Sequence, residues 1–257
     1  MTSEPLATAF LGLLGLVVGS FLNVCIYRIP RKLSLVSPPS HCGACSRRLS
    51  WYENIPVVSY TVLGGACRSC GASISLMYPL VELTTAVVFV AGYLWFGPTP
   101  MLAVRLLFAC AMIVLFVIDL QHQILPNQIT LPGVAVGLVL SGLVGPGWIV
   151  SLIGIAAGAG SLFAVAEVYY RVRGEEGLGM GDVKMLAMIG AFLGWKMVLL
   201  TLMLASLLGS LVGVAMVVAQ NKSLKYALPF GTFLAIAALV SAVTGDALIA
   251  WYLRFYS

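Results

Sequence analysis

The sequence predicts an all-α, polytopic membrane bundle of about eight transmembrane helices with one polar, four-cysteine loop. Three observations predict it. Of its 257 residues, 61% are hydrophobic and only 9% charged, and the mean hydropathy of +1.04 exceeds what a soluble core accommodates. Apolar runs recur at lengths near the ~20 residues that a helix needs to cross the hydrocarbon core. Basic residues gather beside one set of run ends, as membrane topology demands.

The first run, residues 6 to 28, has no basic n-region and no Ala-x-Ala cleavage site, so it is expected to be a retained helix. Arg28, Arg31, Lys32, Arg47, Arg48 and Arg68 follow it, opposed only by Glu53. The positive-inside rule makes that loop cytoplasmic and the N-terminus external. Counting spans onward puts the 119 to 126 and 171 to 184 connections inside, with the loop holding Lys222 and Lys225. Arg105, Lys196 and Arg254 remain at or near the outer side. Basic residues beside helix ends favour anionic membrane lipid over nucleic acid as partner.

The later spans are expected at residues 77 to 97, 100 to 119, 127 to 144, 148 to 171, 183 to 195, 197 to 219 and 228 to 252. The sixth span, 183 to 195, is too short to cross upright. Gly97-Pro98-Thr99-Pro100 and Gly145-Pro146-Gly147 read as tight outer turns joining antiparallel neighbours. Small residues from Gly154 to Ser161, and again at Ala205, Gly209 and Gly213, are expected to let helix backbones pack closely. No inverted repeat of the transporter kind is visible. The organisation expected is a first helix (1–29), a cytoplasmic loop (30–76) and a membrane core (77–257).

Within the loop, Cys42-Gly-Ala-Cys45 and Cys67-Arg-Ser-Cys70 form two C-x-x-C pairs. Four thiolates suit tetrahedral zinc, and an all-cysteine site organises a fold without doing chemistry. Two disulfides or a thiol redox pair are the alternatives, and a reducing cytoplasmic location argues against the first. His41 reads as a neighbour of the site, and Cys25 and Cys110 as packed thiols in apolar runs. Trp51, Tyr52 and Tyr60 pack around the knuckles or lie at the membrane interface.

Charge inside the apolar runs is costly and points to function. Asp119 ends the third run and Asp182 opens the sixth, in Gly179-Met180-Gly181-Asp182-Val183-Lys184. Both are expected on the cytoplasmic side. Two neighbouring carboxylates in low dielectric share one proton, so that one activates water while the other donates to a carbonyl. Gly179 and Gly181 would leave room for a substrate strand. Taken alone, the same string also fits a polar loop with Asp182 as helix cap and Lys184 as interface anchor. Glu82 and Glu167 lie within apolar runs and are expected to pair with neighbours; a proton or ion pathway could use them. Asp246 is assigned no role.

Several segments together resemble the type IV prepilin peptidases, the bifunctional leader peptidases and N-methyltransferases of pilus and type II secretion systems. These are Gly19 to Pro30, Ser40 through Trp51-Tyr52-Glu53-Asn54-Ile55-Pro56 to Cys70, Tyr78 to Leu83, Ile118-Asp119-Leu120, Gly179 to Lys184 and Pro229-Phe230-Gly231. The resemblance implies that Asp119 and Asp182 are catalytic aspartates, with Gly179, Gly181 and Lys184 as their supporting loop, and that Cys42, Cys45, Cys67 and Cys70 bind structural zinc. It implies a prepilin or pseudopilin substrate, cut after a glycine at the cytoplasmic face of the bacterial inner membrane. The exposed amine is then methylated from S-adenosylmethionine, whose binding residues the sequence does not assign. Two positions depart from the family pattern: Asn127 stands where Leu-Pro-Asp is common, and is expected to cap the next helix, and Gly43 stands where proline is common. A transporter built on the acids and a thiol redox protein are the competing classes.

Overall fold

Apolar composition dictates helices, because in lipid each backbone polar group must be satisfied within its own segment. The computed structural model describes residues 3–175, 179–220 and 228–255, and among these it contains nine α-helices. They are α1 (Ser3–Arg28), α2 (Val58–Val62), α3 (Met77–Phe96), α4 (Pro100–His122), α5 (Asn127–Val144), α6 (Trp148–Arg173), α7 (Met180–Leu193), α8 (Trp195–Gln220) and α9 (Phe230–Leu253). Seven are long and apolar enough to cross a membrane. The remaining expected span, the sixth, is α7, whose 14 residues fall short of that length. Lys222 and Lys225 lie outside the described residues.

The chain divides into two units, Met1–Val114 and Leu115–Ser257. In the first, α1 packs on α3 through glycines. A Cβ on Gly15 would lie 2.6 Å from the Ala86 Cα, and one on Gly19 would lie 2.7 Å from the Glu82 Cα. Backbone meets backbone there, as small residues four apart permit in lipid. Arg28 closes α1 and is buried, donating to the carbonyls of Ser34 at 2.7 Å and Pro38 at 2.6 Å. The loop backbone thereby starts from a fixed point.

That loop folds as two equivalent knuckles. Backbone bridges pair His41 with Arg48 and Ala66 with Ser73. The Cys42 N–H donates to the Arg47 carbonyl at 2.9 Å, and the Cys67 N–H to the Ala72 carbonyl at 2.8 Å. Each knuckle turns through a left-handed residue, Ser46 at φ 57° and Gly71 at φ 69°. Glu53, buried in the turn Trp51–Asn54, pairs with Arg47 and accepts from the Ser50 N–H at 2.8 Å.

In the second unit α7 is wrapped by other helices. Val183 and Met185 to Leu193 are all buried, so the helix is apolar on every side. The sequence neighbours α5 and α6 each pack more extensively on α7 than on one another. A Cβ on Gly154 of α6 would lie 2.5 Å from the Gly190 carbonyl oxygen, and one on Gly158 would lie 2.7 Å from that of Leu186. The close approach expected of the small residues is therefore backbone contact here. At Gly209 and Gly213 the neighbours are instead the side chains of Phe233 and Leu228. Gly154→Ala is expected to destabilise the unit by about 1–3 kcal/mol. Gly160→Ala, where a Cβ meets nothing within 4 Å, is expected to cost nothing; unfolding midpoints in one detergent compare the two.

Candidate active site and metal centre

One end of the second unit brings the expected acidic residues together. Asp119 lies in the last turn of α4 and is only 5% exposed. Its Oδ2 accepts two hydrogen bonds from Thr232, from the backbone N–H at 2.7 Å and the hydroxyl at 3.0 Å. Thr232 is the third residue of α9, where backbone N–H groups have no partner within their own helix and the dipole favours an anion. Gly231 makes this possible: a Cβ there would lie 2.9 Å from that same carboxylate oxygen.

Asp182 arrives on the first turn of α7. The residue capping that helix is Gly179, with no side-chain cap bond, so Asp182 is not a cap. Leu125 ties the two acids into one place. A Cβ on Gly181, next to Asp182, would lie 3.0 Å from the Leu125 Cβ, and one on Gly231 would lie 2.9 Å from its Cδ1. Both glycines are thus needed bare, one on either side of a single leucine. Burial, and then the charge of Asp119, push the Asp182 carboxyl up to about 7. It precedes the apolar part of α7, which is not one of the seven long helices.

Of the residues expected in a supporting loop only Gly179 precedes α7, and Gly181 lies within that helix, as does Lys184. Its Nζ donates to the Asn127 Oδ1 at 3.0 Å. The helix α5 is capped by Pro126, with no side-chain cap bond, so Asn127 joins α5 to α7 and does not cap. Thr232 and Leu125 were missed by sequence reasoning. A threonine directly after Pro229-Phe230-Gly231, in the first turn of a helix, was the available signal.

The remaining acids in apolar runs have local partners. Glu167 accepts from Arg171 Nε at 2.7 Å, one turn along α6. Glu82 accepts from the Val57 N–H at 2.8 Å.

The four loop cysteines also converge. The sulfurs of Cys42, Cys45, Cys67 and Cys70 all lie within 4.8 Å of one another, and those of Cys42 and Cys70 are 3.9 Å apart. A tetrahedral zinc with bonds of about 2.3 Å spaces its sulfurs about 3.8 Å apart, so the donor set fits. The N–H groups of Cys45 and Ala44 hold the Cys42 thiol down at about 6, and those of Cys70 and Ser69 lower Cys67. Metal-binding thiolates are favoured at Cys42 and Cys67 by that arrangement, whereas the neighbouring Cys67 sulfur and burial push Cys70 up to about 11. All four cysteines are free thiols, and His41, whose Nδ1 lies 3.1 Å from the Pro39 carbonyl, stands outside the cluster.

Comparison with known proteins follows the same division of the chain. Residues 13–96 match the Bacterial Peptidase A24 N-terminal domain, and residues 106–214 match the Type IV leader peptidase family. A prepilin leader peptidase/N-methyltransferase of Pseudomonas aeruginosa is 38% identical, over 99% of this chain and 97% of its own. One from Myxococcus xanthus is 43% identical over 85% of this chain and 66% of its own. Another from Pseudomonas putida is 37% identical over 92% and 90%. No solved structure matches.

Proposed function

Because the chain belongs to the type IV leader peptidase family, we propose that Asp119 and Asp182 are the groups with which it hydrolyses the leader peptide bond. The enzyme is a prepilin leader peptidase with N-methyltransferase activity. The observation that carries the residue assignment is the convergence of Asp119, Thr232, Gly181 and Asp182 around Leu125.

Asp119 has two donors from Thr232, whereas the Asp182 carboxylate meets its own backbone N–H. Asp119 is therefore the better holder of the shared negative charge, and Asp182 carries the proton. Ionised Asp119 takes a proton from water as the water oxygen attacks the scissile carbonyl carbon. Asp182 gives its proton to the carbonyl oxygen. Collapse of the tetrahedral intermediate breaks the C–N bond, and a proton passes to the leaving amine. The bare backbone of Gly179, whose Cβ position lies 3.3 Å from the Asp182 Oδ2, leaves the approach to that carboxyl open, while Gly181 makes room for Leu125.

By the positive-inside reading, this end of the unit faces the cytoplasm at the bacterial inner membrane, where the basic leader of a prepilin or type II pseudopilin ends. Zinc on the four cysteines holds the two knuckles together. S-adenosylmethionine, when bound, would supply the methyl group to the newly freed amine.

The test incubates purified enzyme with a prepilin and S-adenosylmethionine and reads the mass of the product's N-terminus. Loss of the leader and gain of one methyl group are expected; an uncut prepilin overturns the assignment. Thr232→Val removes one donor from Asp119 and is expected to lower kcat about 10- to 100-fold, with KM little changed. Thr232→Ser is expected to restore both the rate and the pH profile, which a merely structural threonine would not require.

A further inference from the structure

Between the two knuckles of the first unit, residues 51–62 carry a single charge, Glu53, which is buried against Arg47 and the Ser50 N–H. Large apolar side chains face outward instead. Trp51 is 80% exposed, Val62 79% and Val58 53%, with Ile55 exposed beside them. So much apolar surface gathered on one loop segment marks contact with lipid or with another protein. Position along α1 separates the two. Val17 and Phe21, about 16 and 10 Å along the helix from Arg28 at 1.5 Å per residue, share one cleft with Trp51, Ile55 and Pro56. Both α1 residues are exposed, on a helix long and apolar enough to span. The hydrocarbon that covers them is therefore continuous with the loop residues across the cleft.

Irregular backbone beside a span needs its hydrogen-bond partners from protein, because lipid supplies none. The Val57 N–H donates to the Glu82 Oε2 at 2.8 Å. Glu82 itself stands against α1, since a Cβ on Gly19 would lie 2.7 Å from its Cα. Val57 makes that bond at φ 61°, an outlying conformation for a β-branched residue. The hydroxyls of the segment are also turned onto their own backbone. Ser59 Oγ donates to the Ile55 carbonyl at 2.7 Å, and Thr61 Oγ1 to that of Val58 at 2.9 Å. In lipid such bonds replace the water that a hydroxyl otherwise binds.

We propose that residues 51–62 form a membrane-dipping segment, seated among the acyl chains of the cytoplasmic leaflet and pinned there by Glu82. Trp51 suits that boundary, where an amphipathic ring meets headgroups and hydrocarbon together. Arg47 and Arg48 precede the segment and Arg68 follows it, so cations bracket it where anionic headgroups lie. The cysteine knuckles on either side are thereby held at the membrane surface. Glu82 gains a duty in an apolar span that involves no proton or ion conduction: it is the acceptor that a dipping backbone requires.

The full chain, reconstituted at one copy per nanodisc of phosphatidylcholine and phosphatidylglycerol, tests this without any substitution. A phospholipid carrying a photoactivated diazirine on its acyl chain is irradiated in the disc, and the protein is then cut with trypsin. Label on the peptide 49–68, bounded by Arg48 and Arg68, supports the proposal. Label on α1 and α3 with none on 49–68 overturns it, and would leave the exposed face to a protein partner. A second measurement isolates Trp51 as the difference in emission between the parent and Trp51→Phe. Bromines placed about 5–10 Å below the headgroup boundary are expected to quench that difference at least twofold more strongly than aqueous iodide does. Quenching by iodide with no effect of the brominated lipid overturns the seating of the segment.

Discussion

Asp119→Asn and Asp182→Asn enzymes insert into the membrane, keep their zinc and leave prepilins uncut, with cleavage down by on the order of 10³-fold or more. The expectation follows from the roles of the two groups. An amide at 119 cannot take a proton from water, and an amide at 182 cannot give one to the carbonyl, and each transfer contributes about 10²- to 10⁴-fold. Cleavage at the parental rate by either folded variant would falsify the mechanism. In the parent enzyme, Asp182 is protonated below about 7. Cleavage needing that proton is therefore present below this value and is lost as pH rises through it. In Asp119→Asn the charge that helps raise Asp182 is gone, so its titration moves down, while burial keeps it above the ordinary carboxylate range. Infrared difference spectra of the carboxyl band follow that movement directly.

The second large effect concerns the knuckles. Purified enzyme is expected to carry about one zinc per chain, and Cys42→Ser or Cys67→Ser to lose it. Structural zinc contributes on the order of 10 kcal/mol to small cysteine sites. Alkylation of Cys45 and Cys70 is expected to be slow in the parent, and fast after chelation or in either variant. Protection that yields to reductant and not to chelator would identify disulfides. That outcome would also overturn the cytoplasmic placement of the loop.

The acids were legible in the sequence because charge is conspicuous in apolar runs, and the cysteines because C-x-x-C spacing survives any fold. Helix positions were legible for a similar reason: hydrocarbon thickness sets span length. Thr232 was hidden because its role comes from contact with a residue 113 positions away. Asn127 misled because a polar residue after proline reads as a cap, whereas its partner is Lys184 of another helix. Gly15 and Gly19 carry no signal beyond smallness until α3 is seen against them.

By itself, then, the sequence determined an all-helical membrane protein, its long spans, a four-thiolate loop and two acids at span ends, all properties of local composition and spacing. Tertiary structure decided which helices touch, that α7 is enclosed by protein, that Leu125 lies between Gly181 and Gly231, and that Asp119 rests on the open end of α9. The reason is physical. Span length and charge cost are set by lipid, one segment at a time, whereas convergence of distant residues depends on where bare glycine backbones let helices approach.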